Sequence, residues 1–213
     1  MPKKIFLFKL LLLCFLFLGA LSAQARLVVV DPGHGGGDAG AVGPTGYQEK
    51  TANLDISLRL KQLLLNGGYQ VVLTRETDIS PNNPPKDLND DGVINVTDDL
   101  EARVRIANKV NANVFVAIHN NAGPSAAAGA ETYYWADNGQ GYNPESKRLA
   151  TLVQQEMVKQ TGLYDRGVKY ARFYVISPNR LKMPGALVEG AFITNPLEEA
   201  LLKTASFRQK VAQ

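Results

Sequence analysis

The chain has 213 residues, enough for one domain and a targeting segment, and its 23 basic and 20 acidic side chains give a net charge of +3. Lys3, Lys4 and Lys9 lie in the first 25 residues, so the remainder carries 20 charges of each sign, which argues against binding nucleic acid or an anionic membrane through net charge. The one cysteine, Cys14, lies in the same N-terminal stretch, so no disulfide stabilises the rest of the chain.

Residues 1–25 have the pattern of a signal peptide. A basic start is followed by an apolar run over 10–21, and residues 23–25 read Ala-Gln-Ala, the small-x-small pattern at which signal peptidase cuts. The apolar run is short for a membrane anchor, and Leu13 precedes Cys14 where lipidation requires a small residue. We therefore expect a secreted or periplasmic protein of about 188 residues, with no membrane span after signal cleavage.

Apolar runs alternate with helical patterns from residue 27 onward. Short runs rich in Val, Ile, Leu and Phe predict strands at 27–30, 70–74, 113–118, 131–135, 173–176 and 186–188. Apolar residues three or four positions apart predict helices at 51–66, 100–110, 145–160 and 196–211. This alternation is typical of a single α/β domain whose mainly parallel, twisted sheet of about six strands carries helices on both faces.

Polar side chains follow four of the predicted strands. His34 comes after the first strand, Arg75 after the second, His119 after the third and Glu189 after the last. The carboxyl ends of parallel strands meet at one edge of a sheet, and ligands bind there. Glu49, just before the first predicted helix, can reach the same edge. We therefore expect these side chains to belong to one site.

The residue types at this edge suit a catalytic metal. Two imidazoles and a carboxylate form the ligand set of many catalytic zinc sites, with a fourth position open for water. Glu189 lies inside the apolar run LVEGAF, where a carboxylate is costly to bury unless it is paired or functional. It suits a general base that passes a proton from water to a leaving nitrogen. The spacing alone leaves an alternative open, in which His119 is a satisfied core histidine and His34 an exposed turn residue.

Eight blocks run in order through nearly all of the chain after residue 25: VVVDPGHGGGDAGAVG, GYQEKTANL, VVLTRETD, EARVRIAN, VFVAIHNNAG, GAETYYW, DRGVKYARFYVI and ALVEGAFITNPLEE. In these blocks the chain resembles the zinc-dependent N-acetylmuramoyl-L-alanine amidases of cell separation, sporulation and phage endolysins. The resemblance implies that His34, Glu49 and His119 bind zinc and that Glu189 is catalytic. It also implies hydrolysis of the amide between N-acetylmuramic acid and L-alanine of the peptidoglycan stem peptide.

Two features depart from the family pattern. Ala191 stands in EGAF where relatives have glycine, and we expect this methyl group to be tolerated. Between Ala122 and Glu131 there is only a short loop, GPSAAAGA, which leaves no room for the lid that covers the zinc of some relatives until an activator removes it. We therefore expect a monomer that cleaves peptidoglycan without an activator protein.

Segment 80–99 is the one compositional break, being rich in Pro, Asn and Asp. Within it, DLNDDGVINVTD has the D-x-N-x-D-G-x5-D spacing of a calcium loop and is similar to the loops of dockerin modules. The predicted ligands are Asp87, Asn89, Asp91, Asn95, Asp98 and the carbonyl of Val93. Gly92 permits the sharp turn, and Ile94 is expected to anchor the loop to the domain. The alternative is a solvated turn, since Asp, Asn and Gly favour turns.

Three other functions remain as alternatives. The first is a catalytically silent wall-binding protein, which would have lost a metal ligand or the catalytic base, whereas His34, Glu49, His119 and Glu189 are all present. The second is a calcium-dependent adhesion or scaffold module, which would carry more than one calcium loop. A zinc carboxypeptidase or endopeptidase acting on stem peptides uses the same chemistry. No substrate-binding residue is identified: Tyr133, Tyr134 and Trp135 form either a sugar platform or core packing, and Arg75 meets either a peptide carboxylate or a structural ion pair.

Overall fold

Strands and helices alternate along the chain, and the structure, a computed structural model, describes residues 26–213. The strands are β1 (Leu27–Pro32), β2 (Gln70–Leu73), β3 (Val114–Asn121), β4 (Ala130–Tyr134), β5 (Asp165–Tyr170) and β6 (Gly185–Phe192). The helices are α1 (Glu49–Asn66), α2 (Val96–Lys109), α3 (Pro144–Thr161), α4 (Pro196–Leu202) and α5 (Ala205–Ala212), with a 3-10 turn at Tyr174–Ile176. The predicted signal peptide, residues 1–25, lies outside the described residues.

The six strands form one sheet in the order β2-β1-β3-β6-β4-β5. Neighbouring strands are parallel except β4 and β6, which are antiparallel. The order places β1, β3 and β6 side by side in the middle of the sheet. The predicted α/β architecture with a mainly parallel sheet is therefore confirmed, and the three strands that lead into His34, His119 and Glu189 are neighbours.

Alternate residues of the central strands pack against helices on opposite faces of the sheet. Val28 and Val30 of β1 belong to an apolar cluster that includes residues of α1, α3, α4 and α5, whereas Val29 belongs to a second cluster with residues of α2 and the 3-10 turn. Successive side chains of a strand point to opposite faces, so continuous valine runs indicate a strand that is buried on both sides. This explains why VVV gave a clear strand prediction.

Two predicted elements are wrong. Segment 173–176 is not a strand: Tyr174–Ile176 is a 3-10 turn whose Val175 and Ile176 are buried, and an apolar run alone does not distinguish a strand from another buried segment. The sixth strand is instead β5, which the sequence reading missed because charged residues obscure its pattern on this edge of the sheet. The C-terminal helix is divided in two, since Thr204 caps α5 by accepting a hydrogen bond from the amide of Phe207.

No helix in residues 26–213 has both the length and the apolar character that crossing a membrane requires.

Candidate metal centre

Three side chains with metal-binding groups meet at the carboxyl ends of β1 and β3. His34 lies two residues beyond β1 in a left-handed conformation (φ 61°), Glu49 is the first residue of α1, and His119 lies within β3. Each offers one ligand atom, and these atoms all lie within 4.8 Å of one another. Of the His, Cys, Asp and Glu side chains in residues 26–213, this is the one group of three or more that meets this condition.

Glu49 lies between the two imidazoles. Its Oε2 is 3.1 Å from Nε2 of His34, and its Oε1 is 3.1 Å from Nδ1 of His119. The two rings stand edge to face, with centroids 4.9 Å apart. Burial alone would raise the pKa of Glu49, but the hydrogen bonds with His119 and His34 and the charge of both rings hold it well below its usual range. The three residues therefore present two ring nitrogens and a firmly ionised carboxylate around one point.

Neighbouring groups fix the orientation of these ligands. Nδ1 of His34 is 2.7 Å from Oδ2 of Asp38, which leaves Nε2 facing Glu49. Glu49 itself accepts hydrogen bonds from the amide of Ala41 at Oε2 (2.9 Å) and from Nδ2 of Asn53 at Oε1 (3.1 Å). Such outer contacts set the tautomer of a ligating histidine and the direction of a ligating carboxylate. The site is thus oriented before any ion binds.

Two glycines make room for the ligands. A Cβ atom at Gly33 would lie 2.2 Å from Cε1 of His119, and one at Gly40 would lie 2.6 Å from Oε2 of Glu49 and from Cδ2 of His34. Both distances are far shorter than a van der Waals contact. The glycine-rich stretch after β1 therefore allows the backbone to pass directly against the candidate ligand side chains.

Two buried arginines hold the loop that carries His34. Arg75 donates hydrogen bonds to the carbonyls of Pro32 (2.9 Å) and Gly33 (2.9 Å), and Arg103 of α2 donates to the carbonyls of Pro32 (2.8 Å) and His34 (2.8 Å). Each arginine is only 2% exposed. Arg75 is therefore a structural residue of the metal-site loop, and the alternative in which it meets a substrate carboxylate does not fit its buried side chain.

Glu189 lies on β6 beside the candidate metal ligands, in register with His119 on β3. Its Oε2 is buried and has no hydrogen-bond partner among the described residues. Burial, followed by the negative charges of Glu49 and Glu131, raises the pKa of Glu189 well above its usual value. A carboxyl group in this environment holds a proton more readily than an exposed one, which suits a group that both accepts and donates protons.

Residues 28–213 match the sequence profile of the N-acetylmuramoyl-L-alanine amidases. The chain is a member of the N-acetylmuramoyl-L-alanine amidase family. It is 40% identical over 187 residues to the N-acetylmuramoyl-L-alanine amidase LytC of Bacillus subtilis, an alignment that covers 87% of this chain and 33% of LytC. The chain therefore spans about a third of the length of that relative.

Solved amidase structures share the fold of this amidase. The catalytic domain of CwlV from Bacillus (Paenibacillus) polymyxa var. colistinus superimposes with a TM-score of 0.72 at 36% identity, covering 88% of this chain and 92% of that one. CwlD from Clostridioides difficile, solved in complex with the GerS lipoprotein, gives a TM-score of 0.76 at 33% identity and the same coverages, 88% and 92%. These matches confirm the family and the fold expected from the sequence blocks.

The amidase has a further charged group at the site, Glu131 of β4, which the sequence reading did not assign. One of its oxygens accepts hydrogen bonds from Nδ2 of Asn121 (2.6 Å) and the hydroxyl of Tyr133 (2.6 Å), and the other accepts from Nε of Arg166 (2.7 Å) and from Nζ of Lys169. Burial alone would raise the pKa of Glu131, but these donors, Lys169 foremost, lower it to about 2. Like Glu189, Glu131 is a carboxylate inside a predicted strand, so the same sequence signal could have identified it.

The aromatic residues at the end of β4 and directly after it pack within the amidase domain. Tyr134 is 7% exposed and contacts the ring of Tyr142, and Trp135 packs against the second apolar cluster. Tyr133 packs edge to face on Phe173, with centroids 5.2 Å apart. Core and edge packing therefore accounts for these side chains better than an open sugar platform.

The predicted calcium loop leads directly into α2. Asp98 is fully buried; its Oδ2 accepts a hydrogen bond from the amide of Asn95 (2.7 Å), and its Oδ1 accepts from the amides of Leu88 (2.6 Å) and Asn89 (3.3 Å). Asn95 in turn caps the amide of Thr97. This capping box starts α2 at Val96, four residues before the predicted start at residue 100.

The other predicted calcium ligands lie on the turn before α2. Oδ2 of Asp87 accepts a hydrogen bond from the amide of Gly92 (2.8 Å), whereas its Oδ1 is buried without a partner among the described residues. Asp87, Asp91 and Asp98 do not converge as closely as the ligands of the metal centre. The expected anchoring role of Ile94 is wrong, because its side chain is 57% exposed and the capping box attaches the loop instead.

Proposed function

We propose that the protein hydrolyses the amide between N-acetylmuramic acid and L-alanine of the peptidoglycan stem peptide. The observation that carries this proposal is the cluster of His34, Glu49 and His119 with the unpartnered carboxyl of Glu189 beside it, in a chain of the amidase family. A catalytically silent wall-binding protein would have no need for such a group.

The metal we assign to this cluster is zinc, held by His34, Glu49 and His119. Two imidazole nitrogens and one carboxylate oxygen are the donor set of many catalytic zinc sites, and three protein ligands leave a coordination position open. Asp38 supports the assignment, because its contact with Nδ1 of His34 is the outer contact usual for a zinc-binding histidine. When bound there, zinc supplies an activated water molecule and a Lewis acid for the scissile carbonyl.

The proton transfers fall to Glu189. Its carboxyl lies beside the metal-binding residues and has one oxygen without a protein partner, so it is placed to take a proton from the attacking water. The same group then gives that proton to the departing amine of L-alanine, because amide hydrolysis requires the nitrogen to leave protonated. Glu131, by contrast, is held ionised by Arg166 and Lys169 and is unsuited to proton exchange.

We further propose that the enzyme acts outside the cytoplasm, in the periplasm or as a secreted protein. The signal-peptide pattern of residues 1–25 supports this location, as does the cell-wall substrate.

We also propose that the enzyme acts as a monomer and without an activator. The segment between β3 and β4 is only eight residues long, 122–129, and its backbone is held at Gly123 by two hydrogen bonds with Thr194. A segment that is this short and is held by hydrogen bonds is unsuited to cover the metal centre as a lid. CwlD, the relative solved with the GerS lipoprotein, shows that at least one amidase of this fold has a protein partner, so the point needs a test.

Digestion of purified sacculi tests the reaction. The protein without residues 1–25, purified alone and loaded with zinc, should release peptides with a new L-alanine amino terminus, identified by mass spectrometry. His119→Ala should lose both the metal, about one zinc per chain in the unchanged protein, and the activity. An exposed lysine variant on α3, Lys159→Gln, is the matched control and should behave as the unchanged protein.

Each alternative predicts a different product. New ends within the stem peptide, rather than at L-alanine, would identify an endopeptidase or carboxypeptidase and contradict the assignment. Activity that persists in protein without stoichiometric metal would contradict the zinc site. Inactivity of the purified protein that a partner restores would contradict independent action.

We propose in addition that the loop of Asp87, Asn89, Asp91, Val93, Asn95 and Asp98 binds calcium. The six ligand positions and Gly92 match the spacing of a calcium loop, and Oδ1 of Asp87 is buried without a partner among the described residues. An oxygen-only donor set suits calcium better than zinc. The loop belongs to the segment that supports α2, so the ion is assigned to folding rather than to catalysis.

Calcium should raise the melting temperature of protein that has been freed of calcium and reloaded with zinc. An ion that binds only the folded state at a hundredfold excess over its Kd stabilises it by about 2.7 kcal/mol, which corresponds to several degrees for a domain of this size. The double variant Asp87→Ala with Asp91→Ala should lose the shift. Asp90→Asn, at a loop position that is not a ligand, should keep it. A melting curve that calcium leaves unchanged in the unaltered protein would reduce the loop to a polar turn.

A further inference from the structure

Charged side chains form a row across four neighbouring strands at the active-site edge. His119 on β3 is in register with Glu189 on β6, and Glu189 is in register with Glu131 on the far side, on β4. Residues in register on adjacent strands point to the same face of a sheet. Lys169 extends the row to the edge strand β5: it is in register with Tyr133 of β4, two residues after Glu131, and donates a hydrogen bond to Glu131. The row therefore runs from the metal-binding residues to the edge of the sheet.

The row ends in two cations that reach the surface. Lys169 and Arg166 both donate to Oε2 of Glu131, whose side chain is 3% exposed, yet their own side chains are 37% and 30% exposed. The guanidinium of Arg166 lies 4.7 Å from the ring centroid of Phe192, which holds it in place. Two other acids lie near Arg166: Glu198 is buried and accepts hydrogen bonds from the backbone amides of Gly129 and Phe192, and Asp165 accepts from Gln154 and the amide of Gly167. Two cations thus share a single buried carboxylate oxygen and keep donors toward solvent.

The opposite side of the metal centre has a different character. A cavity of about 410 Å³ lies there, lined mainly by uncharged groups such as Gly36, Gly37, Ile79 and Asn82. Asp99, the charged residue in its wall, is bonded to Arg103, and the charged neighbours of Gly36, Lys50 and Asp78, are paired with each other. One end of the site therefore presents two cations around one carboxylate, whereas the charged groups at the other end are paired with each other.

We propose that Lys169 and Arg166 bind the α-carboxylate of the second residue of the stem peptide. This rests on the proposed function, which places the scissile amide at the metal centre. A muramoyl peptide is uncharged on its sugar side and carries its carboxylates on its peptide side. The charges of the site then orient the substrate, with the peptide running toward β5 and the sugar toward the neutral cavity beside Gly36.

The distances fit this assignment. β3 and β4 are two strand spacings apart, about 10 Å, so the group of Glu131 and its two cations lies about that far from His119. Two extended residues span about 7 Å, and the α-carboxylate of the γ-linked second residue branches from its Cα near the end of that span. The carboxyl group of the first residue forms the peptide bond to the second, so the α-carboxylate of the second residue is the first free carboxylate that can reach the cations.

Two muramoyl tripeptides that differ in one group test the proposal. The first is N-acetylmuramoyl-L-alanyl-γ-D-glutamyl-L-lysine, and the second carries a carboxamide in place of its glutamyl α-carboxylate. We expect the zinc-loaded protein to prefer the acid over the amide by about tenfold or more in kcat/KM, as a charge-assisted hydrogen bond contributes. Both tripeptides are also measured as competitors of sacculus digestion, so that a substrate too short for turnover still reports its affinity.

The variants separate recognition of the carboxylate from a merely structural effect. Lys169→Gln should lower kcat/KM for the acid about tenfold more than for the amide, with the loss appearing mainly in KM, and Lys169→Arg should restore the preference. Lys159→Gln, an exposed lysine on α3, should keep the full preference. No preference in the unchanged protein, or an equal loss for both tripeptides in Lys169→Gln, would overturn the proposal. Sacculus digestion tests the proposed function separately, since an amidase that cleaves sacculi but treats the tripeptides alike overturns this inference alone.

Discussion

Replacing Glu189 with glutamine should slow hydrolysis of peptidoglycan by at least about a hundredfold, the effect typical of losing a general base. The amide side chain keeps the size of the carboxyl group but cannot take a proton from water. Because Glu189 is not among the three converging side chains to which we assign the metal, the variant should retain about one zinc per chain. Product release from sacculi and elemental analysis of the dialysed protein give the two measurements.

Glu156→Gln provides the matched control for this substitution. Glu156 lies on α3 and pairs with Lys159 at the surface, so the same chemical change there should leave both turnover and metal content as they are. Loss of zinc from Glu189→Gln would make Glu189 a ligand instead of a base. Turnover close to that of the unchanged protein would remove it from the proton transfers.

Replacing Arg103 with methionine should destabilise the domain by about 3–5 kcal/mol, the effect of removing one partner from a buried ion pair. Nη1 of Arg103 lies 2.8 Å from Oδ1 of Asp31, and both side chains are almost completely buried. The substitution leaves the carboxylate of Asp31 without its cation and also releases the carbonyl of His34. Chemical denaturation of the zinc-loaded protein measures the change in the free energy of unfolding.

Arg105→Met separates this effect from the general cost of changing an arginine on α2. Arg105 is 54% exposed and pairs with Glu101 one turn earlier, so its loss should cost only about 0.5 kcal/mol. Adding Asp31→Asn to Arg103→Met should recover part of the stability, because it removes the uncompensated charge. A cost for Arg103→Met as small as that for Arg105→Met would show that the buried pair does not hold the metal-site loop.

Much of the fold could be predicted because burial in a parallel sheet leaves a local pattern. Strands β1 and β3 are covered on both faces, so they are continuous apolar runs that end where polar residues begin. The rule that carboxyl ends of parallel strands share an edge then brought His34, His119 and Glu189 together without any knowledge of the packing. Glu49 was expected at the same edge because it precedes the first helix, but its role as a zinc ligand came from the resemblance to the amidases.

The strand at the edge of the sheet could not be predicted, because it forms through contacts between distant segments that leave no local sequence pattern. β5 is a strand because it pairs with β4, although its charged residues conceal the alternation, and Tyr174–Ile176 is apolar because it packs on the opposite face from α1. The position of Arg75 at the end of a predicted strand placed it near the site, but only the structure shows that its guanidinium donates hydrogen bonds to the carbonyls of the His34 loop.

The sequence by itself determined the fold class, the strand ends at which the site forms and the residue types that suit a metal, because each of these follows from local periodicity and chemistry. Only the tertiary structure decided which charges meet. Glu131 and Lys169 are 38 positions apart in the chain and share a hydrogen bond because β4 and β5 lie side by side. Residue spacing reports which face of an element is buried, but the partner of a buried charge depends on how distant elements pack.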